Sequence, residues 1–440
     1  MKTLTGNLRG AALIALALGS LAQAQNLKGR WSANTELGGE KVPFRLDIAG
    51  DGDKTIAALY NGEDKEYTTS ASVKDGKVEL NFDHYLVSIT AEVKNGELDG
   101  SIVSRRGGPA AEEGANNAPT AAGAAAAPAR RGVTPFHAVR YVTPTAAEVK
   151  NVPNINGVWE VARETPKGEK AWRVVVQQNG ADITTTILRI DGDTGALTGS
   201  WEPDNGRFVA SHFDGARPGL ITLTPRPDGS LGVELNTGNR NGELIGYRPE
   251  VARAKGLPEP SNYQTHTTVR DPNEVFTYSF PDTKGNIVSN EDPRYKGKVV
   301  LAIVTGTWCP NCHDEAKYLV ELYNKYHDRG LEIVALDFEE PTEISSLKRV
   351  NAFVRQYKVP YAYLIAGQPS EMWDKVPQLV NLNTWPATVF VGRDGKVKAT
   401  HAGFAAPASG VFNELLKEEF TSNIERLLKE KAPVTSASIR

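Results

Sequence analysis

The chain has 440 residues, 40% of them hydrophobic, with 50 basic side chains against 53 acidic ones and a formal net charge of −3. At about 100–200 residues per domain, two to four domains are expected. A near-neutral balance with no concentrated basic face argues against a nucleic-acid partner, and with only two cysteines any intramolecular disulfide must join those two.

Residues 1–24 read as a secretory signal. Lys2 and Arg9 make a positive start, Ala11 to Leu21 an apolar core, and Ala22-Gln23-Ala24 a small-residue cleavage site before Gln25. That core is shorter than the about 20 apolar residues that span a bilayer. No cysteine stands at the cleavage site to carry a lipid, and no later stretch is long and apolar enough to cross a membrane. The expectation is an exported, periplasmic chain, soluble and without an integral membrane segment once the signal is removed.

Residues 25–145 predict an antiparallel β-meander. Phe44 to Ile48, Thr55 to Tyr60, Lys77 to Phe82 and Val87 to Val93 run near period two, separated by Asn61-Gly62, Asp75-Gly76 and Asn95-Gly96. Such pairs between alternating runs are strong hairpin signals. The Ala-, Gly- and Pro-rich stretch 105–132 reads as a low-complexity insertion, because Phe136 to Val142 resumes as a strand. Residues 150–255 predict a second unit of the same kind. Gly157-Val158-Trp159 echoes Gly29-Arg30-Trp31, and Gly195 to Ser200 echoes Gly96 to Ser101. Two small barrels and the two halves of one sandwich both fit, and each tryptophan reads as a core plug.

After a Pro-rich linker at 256–274, the pattern in 275–433 changes to alternating strands and helices. The apolar run Val299 to Val304 leads into Trp308-Cys309-Pro310-Asn311-Cys312, followed by a helix from Pro310 to Arg329. Leu331 to Phe338 reads as a buried strand, Thr342 to Tyr357 as an amphipathic helix, Tyr361 to Ile365 as a strand and Ser370 to Val380 as a helix. Thr388 to Val391 and Lys396 to Thr400 read as a hairpin, with a last helix from about Ala408 to Lys431. The fold class is therefore multidomain, two β-meander units followed by an α/β domain with helices on both faces of a mixed sheet.

A Cys-x-x-Cys turn between a strand and a helix is suited to thiol exchange. Cys309 would begin the helix, where backbone N–H groups and the helix dipole favour an anionic sulfur, and Pro310 fits the first turn. Cys309 is the expected nucleophile and Cys312 the resolving thiol. A half zinc site would need two further ligands, with His313 the only nearby candidate, and a static disulfide closing so small a loop would stabilise little. No metal and no cofactor is expected. Pro386 stands just before a strand; the arrangement is similar to thioredoxin folds, and that resemblance implies a cis proline here packed against the dithiol.

Residues 275–431 resemble the TlpA/ResA group of thioredoxin-like thiol–disulfide reductases. The resemblance rests on Val299 to Val304, Thr307 to Cys312, Glu315, Leu331 to Asp337, Pro386-Ala387-Thr388, Asp394-Gly395 and His401 to Phe404. It implies a redox-active pair Cys309/Cys312, a catalytic Glu315 that tunes the proton affinity of the dithiol, and a substrate groove formed by Trp308, Pro310, Trp385 and Pro386. It also implies protein thiol or disulfide substrates and a membrane electron donor. Three positions depart from the pattern: Ala316 replaces a usual proline, Trp385 a usual small residue, and Asn311 leaves the redox poise open. His401 reads as a surface histidine on an edge strand and Asp337 as a cap at a strand end. The function expected is reduction of protein disulfides in the cell envelope. The alternatives are a thiol-dependent peroxidase, whose Pro-x-x-x-Thr-x-x-Cys signature would need Pro and Thr where Ala302 and Gly306 stand, and a binding protein with an accessory thioredoxin domain.

Overall fold

The computed structural model describes residues 27–105, 132–142, 151–215, 218–235 and 242–431. The expected signal at 1–24 and almost all of the low-complexity insertion lie outside the described residues. Among the described residues, no helix is long and apolar enough to cross a membrane.

Nine antiparallel strands between Gly29 and Arg140 form one curled sheet. Its edges are Asp64–Tyr67 and Ser70–Lys74, which follow each other in the chain. Asp75-Gly76 and Asn95-Gly96 each have positive φ at both residues and close tight hairpins, because such turns match the twist of the strands they join. Alternation turns Val78, Leu80 and Phe82 inward to Trp31, Leu46, Leu59 and Ile89. The strands flanking the insertion are neighbours, with Ser104 opposite Gly132.

The second unit is a closed barrel of eight strands in sequential order, from Gly157–Ala162 to Leu244–Tyr247. Val161 pairs with Gly246 to close it, so a closed barrel with its own core replaces the sandwich alternative. The Gly-x-Trp echo is structural. Trp31 Nε1 donates to Leu27 O at 3.0 Å and Trp159 Nε1 to Ile155 O at 2.8 Å. Arg140 and Arg248, from late in each unit, stack over these rings at 4.0 and 3.8 Å. Both tryptophans are buried core plugs. The Gly-Ser echo is not equivalent in place: Gly100 lies in the eighth strand of the sheet and Gly199 in the fourth strand of the barrel.

In the third unit we label β1 (Val299–Thr305), α1 (Pro310–Tyr326), β2 (Leu331–Phe338), α2 (Pro341–Ser346), α3 (Lys348–Gln356), β3 (Ala362–Gly367), β4 (Ala387–Val391), β5 (Val397–Ala402) and α4 (Val411–Lys429). The sheet order is β3-β2-β1-β4-β5, with β1 parallel to β2 and antiparallel to β4. Every residue of β1 and β2 is buried, as the continuous apolar runs require of central strands covered on both faces. This is the expected thioredoxin-like arrangement. Two helices differ from expectation. The predicted helix at 342–357 breaks at Leu347, which adopts a left-handed conformation and divides α2 from α3. The predicted helix at 370–380 shrinks to Met372–Lys375, and Leu379–Val380 pairs as a strand with Thr268–Val269. Pro377 lacks a donor and disfavours helical geometry at Val376, which ends the turn.

The units pack together. Leu188 of the barrel lies in the same apolar cluster as Phe404, Leu416 and Phe420. Glu66 of the first sheet contacts His84 at 2.8 Å and Lys317 of α1 at 3.4 Å.

Candidate active site

The turn between β1 and α1 is held from behind. The Thr307 N–H and hydroxyl both donate to Glu339 Oε1 at 2.6 Å. Arg349 Nε donates to Thr307 Oγ1 at 2.9 Å and Arg349 Nη2 to Glu339 Oε2 at 2.5 Å, with both side chains fully buried. A buried carboxylate is tolerable only when paired in this way. Gly306 has to be glycine, because a Cβ there would lie 2.4 Å from Trp308 Nε1 and 2.9 Å from Phe338 O.

Cys309 is the N-cap of α1, Pro310 its first helical residue, and Cys312 follows one turn on. The His313 N–H donates to Cys309 O at 3.3 Å. Both sulfurs are free thiols, and the residues are only 5% and 1% exposed. The Cys309 thiol donates to Trp385 O at 3.5 Å. The Trp385–Pro386 peptide is cis. The structure therefore brings Cys309, Pro310, Cys312, Trp385 and Pro386 to one place. The Trp308 and Trp385 rings meet edge to face at 5.2 Å, with Phe338 behind Trp385 at 5.8 Å.

Glu315 is buried beneath this turn and accepts a 2.5 Å hydrogen bond from the Thr388 hydroxyl. Burial pushes its carboxyl up to about 8, against a smaller lowering by Thr388. Burial also pushes the Cys312 thiol up, and the adjacent Cys309 and the Glu315 charge push it further in the same direction. Burial thus makes deprotonation of Cys312 costly.

Other residues lie differently from expectation. His401 is buried, not on the surface; it lies 3.0 Å from Glu419 and stacks on Tyr263. Asp337 is fully buried beside Glu339 near the end of β2, and burial holds its carboxyl well above the usual range. His313 lies 2.8 Å from Thr307 O through Nε2 and 2.8 Å from Tyr357 OH through Nδ1. Among the described residues, no group of three potential metal ligands forms.

Sequence reasoning missed the residues that the barrel brings to the dithiol. Asn311 Nδ2, between the cysteines, donates to Asp191 O at 2.8 Å. The Trp385 N–H donates to Asp191 Oδ1 at 3.1 Å, and Lys167 pairs with the same oxygen at 2.5 Å. The Asp-Gly-Asp run at 191–193 drew no reading from the sequence.

With this geometry in view, comparison with known proteins is informative. The chain is 32% identical over 164 residues to thiol-disulfide oxidoreductase ResA of Bacillus thuringiensis subsp. konkukian, covering 37% of this chain and 76% of that protein. The chain belongs to the ResA family of thiol-disulfide oxidoreductases. The ResA of Bacillus anthracis is 35% identical over 126 residues, covering 29% of this chain and 64% of that protein. A family model described as the AhpC/TSA family matches residues 272–400. Solved structures similar to part of the chain include the thioredoxin domain of a thiol-disulfide oxidoreductase from Bacteroides vulgatus, at 22% identity and a TM-score of 0.27, covering 34% of this chain and 97% of that one. A thioredoxin-family thiol:disulfide interchange protein from Chlorobium tepidum is 18% identical with a TM-score of 0.28, covering 37% and 99%. The ResA likeness concerns the C-terminal third, and the chain is a redox enzyme of the thioredoxin type.

Proposed function

We propose that this oxidoreductase is exported and reduces protein disulfides in the cell envelope. The observation that carries the reading is the position of Cys309, at the start of α1 and against the Trp385–Pro386 loop, with Cys312 one turn along the same helix. The Cys309 thiolate attacks one sulfur of a substrate disulfide, forming a mixed disulfide and releasing one substrate thiolate. Cys312 then loses its proton and attacks Cys309 Sγ, forming the Cys309–Cys312 disulfide and releasing the second substrate sulfur. Two electrons pass to the substrate, and its two thiolates take up the two protons that the cysteines lose. An external dithiol donor, expected at the membrane, returns the pair to the free thiols.

Glu315 has a proton role in this scheme. With its carboxyl near 8 it is mostly protonated at neutral pH, so it accepts the Cys312 proton only as pH rises or while its own proton leaves. Trp308, Pro310, Trp385 and Pro386 line the substrate approach. The signal-like start at 1–24 supports export, and the family membership supports thiol exchange.

The dithiol potential tests the reductive direction. A strongly reducing value is expected; one near about −120 mV, the range of a strong oxidant, would reverse the direction. A chain cut to begin near residue 265 tests what the β units contribute. Equal reduction of a peptide disulfide by the cut and full chains assigns them to recognition or targeting. Against the peroxidase alternative, Ala302 and Gly306 stand where its signature needs Pro and Thr.

A further inference from the structure

A sulfur that must attack a disulfide in line needs an open approach. Cys309 has almost none, at 5% exposure. The hairpin tip 189–193 of the barrel hydrogen-bonds to residues on two sides of it, Asn311 of α1 and Trp385 of the cis-proline loop. Asp191 joins both walls. Its backbone O accepts from the Asn311 side chain at 2.8 Å, and its Oδ1 from the Trp385 N–H at 3.1 Å. The Phe404 N–H also donates to Asp191 O, at 3.2 Å. Gly192 then pairs with Phe404 in a parallel bridge.

The fit is close on both sides. At Gly192, with φ of +116°, a Cβ would lie 2.1 Å from Phe404 O and 2.9 Å from Asn311 Nδ2. At Gly403, with φ of +71°, a Cβ would lie 2.2 Å from Ile190 O and 2.4 Å from the Asp191 carbonyl carbon. Any side chain at either position would hold the two backbones apart. Two glycines facing each other across a contact between units, each without room for one carbon, mark a fitted surface. The donors it occupies, the Trp385 N–H and the Asn311 amide, stand beside the nucleophile.

We propose that the tip 189–193 is a built-in cap on the dithiol, latched by Asp191, and that it must lift before Cys309 can meet a protein disulfide. The proposal rests on the thiol-exchange reading for its purpose, but not for its test.

The test measures alkylation of Cys309 by iodoacetamide, a small uncharged probe, in the full chain carrying Cys312→Ala so that one sulfur reports. Asp191→Ala and Gly192→Ala are compared with that parent across pH, with circular dichroism confirming the fold. The cap predicts slow alkylation of the parent. It predicts a rise of roughly tenfold in Asp191→Ala, which loses the Trp385 hydrogen bond and the Lys167 pair but keeps its backbone contacts, and of up to about a hundredfold in Gly192→Ala, whose Cβ would part the tip from Phe404 and Asn311. The rise should persist at high pH, where the thiol is fully ionised. A gain in Asp191→Ala that vanishes there would reflect only the lost Asp191 charge and the Lys167 charge left unpaired, and would overturn the cap. Equal rates in parent and variants, or a parent as reactive as the same chain unfolded, would also overturn it. If alkylation accelerates but the same substitutions in the chain that keeps both cysteines do not speed reduction of a peptide disulfide, the cap stands and the reductase reading falls.

Discussion

Glu315→Gln gives a sharp test of the buried carboxyl beneath the dithiol. The side chain is 1% exposed, and burial moves its carboxyl from 4.5 to about 8. In the unfolded chain the group returns to its ordinary value and ionises near pH 4.5. Between about pH 4.5 and 8 the native state therefore holds a proton that the unfolded state has lost, and stability falls as pH rises through this window. The stability that burial of the neutral acid permits is complete below the lower value and lost once the folded carboxyl ionises. At about 1.4 kcal/mol per pKa unit, the whole loss is roughly 4–5 kcal/mol, of which about 3 kcal/mol falls between about pH 5 and 7.5. Glutamine is neutral throughout and keeps an oxygen to accept from Thr388. The variant should match the wild type near pH 5 and exceed it by about 3 kcal/mol near pH 7.5. Denaturant unfolding of both proteins across this range, followed by tryptophan fluorescence, measures the difference. Curves that stay parallel within about 0.5 kcal/mol would refute the reasoning, because Glu315 would then titrate as an ordinary carboxylate.

Three further outcomes are expected. Trp385→Ala removes a buried ring packed on Trp308 and Phe338 and should cost about 3–5 kcal/mol in denaturant unfolding. Arg349→Met leaves Glu339 buried without its cation and should cost a similar about 3–5 kcal/mol, partly restored by adding Glu339→Leu. The purified chain with a thiol donor should not consume hydrogen peroxide faster than the donor alone; rapid consumption would favour the peroxidase alternative.

How far the sequence foretold the fold depended on the range of the interactions. Asp75-Gly76 and Asn95-Gly96 marked hairpins because the backbone they need is encoded by the two residues themselves. The continuous apolar runs of β1 and β2 marked central strands for the same local reason. The break at Leu347 was hidden because no proline or glycine marks it, and Arg349 is drawn inward by Glu339 and Glu340, carboxylates from the link between β2 and α2. Pro377 was a local signal that the 370–380 reading passed over. The dithiol and the cis proline showed as motifs. Asp191 did not, because its partners Asn311 and Trp385 lie 120 and 194 residues away and its own surroundings look like any turn. The closure of the second unit into a barrel likewise rests on pairing between its first and last strands, Gly157–Ala162 and Leu244–Tyr247.

The central claim is that Cys309 attacks and Cys312 resolves. It is tested most directly by incubating the Cys312→Ala chain with a peptide disulfide and locating any adduct by mass spectrometry. One mixed disulfide on Cys309, stable because no second sulfur can release it, is predicted. No adduct on Cys309, or an equal adduct on Cys312 in the Cys309→Ala chain, would contradict it.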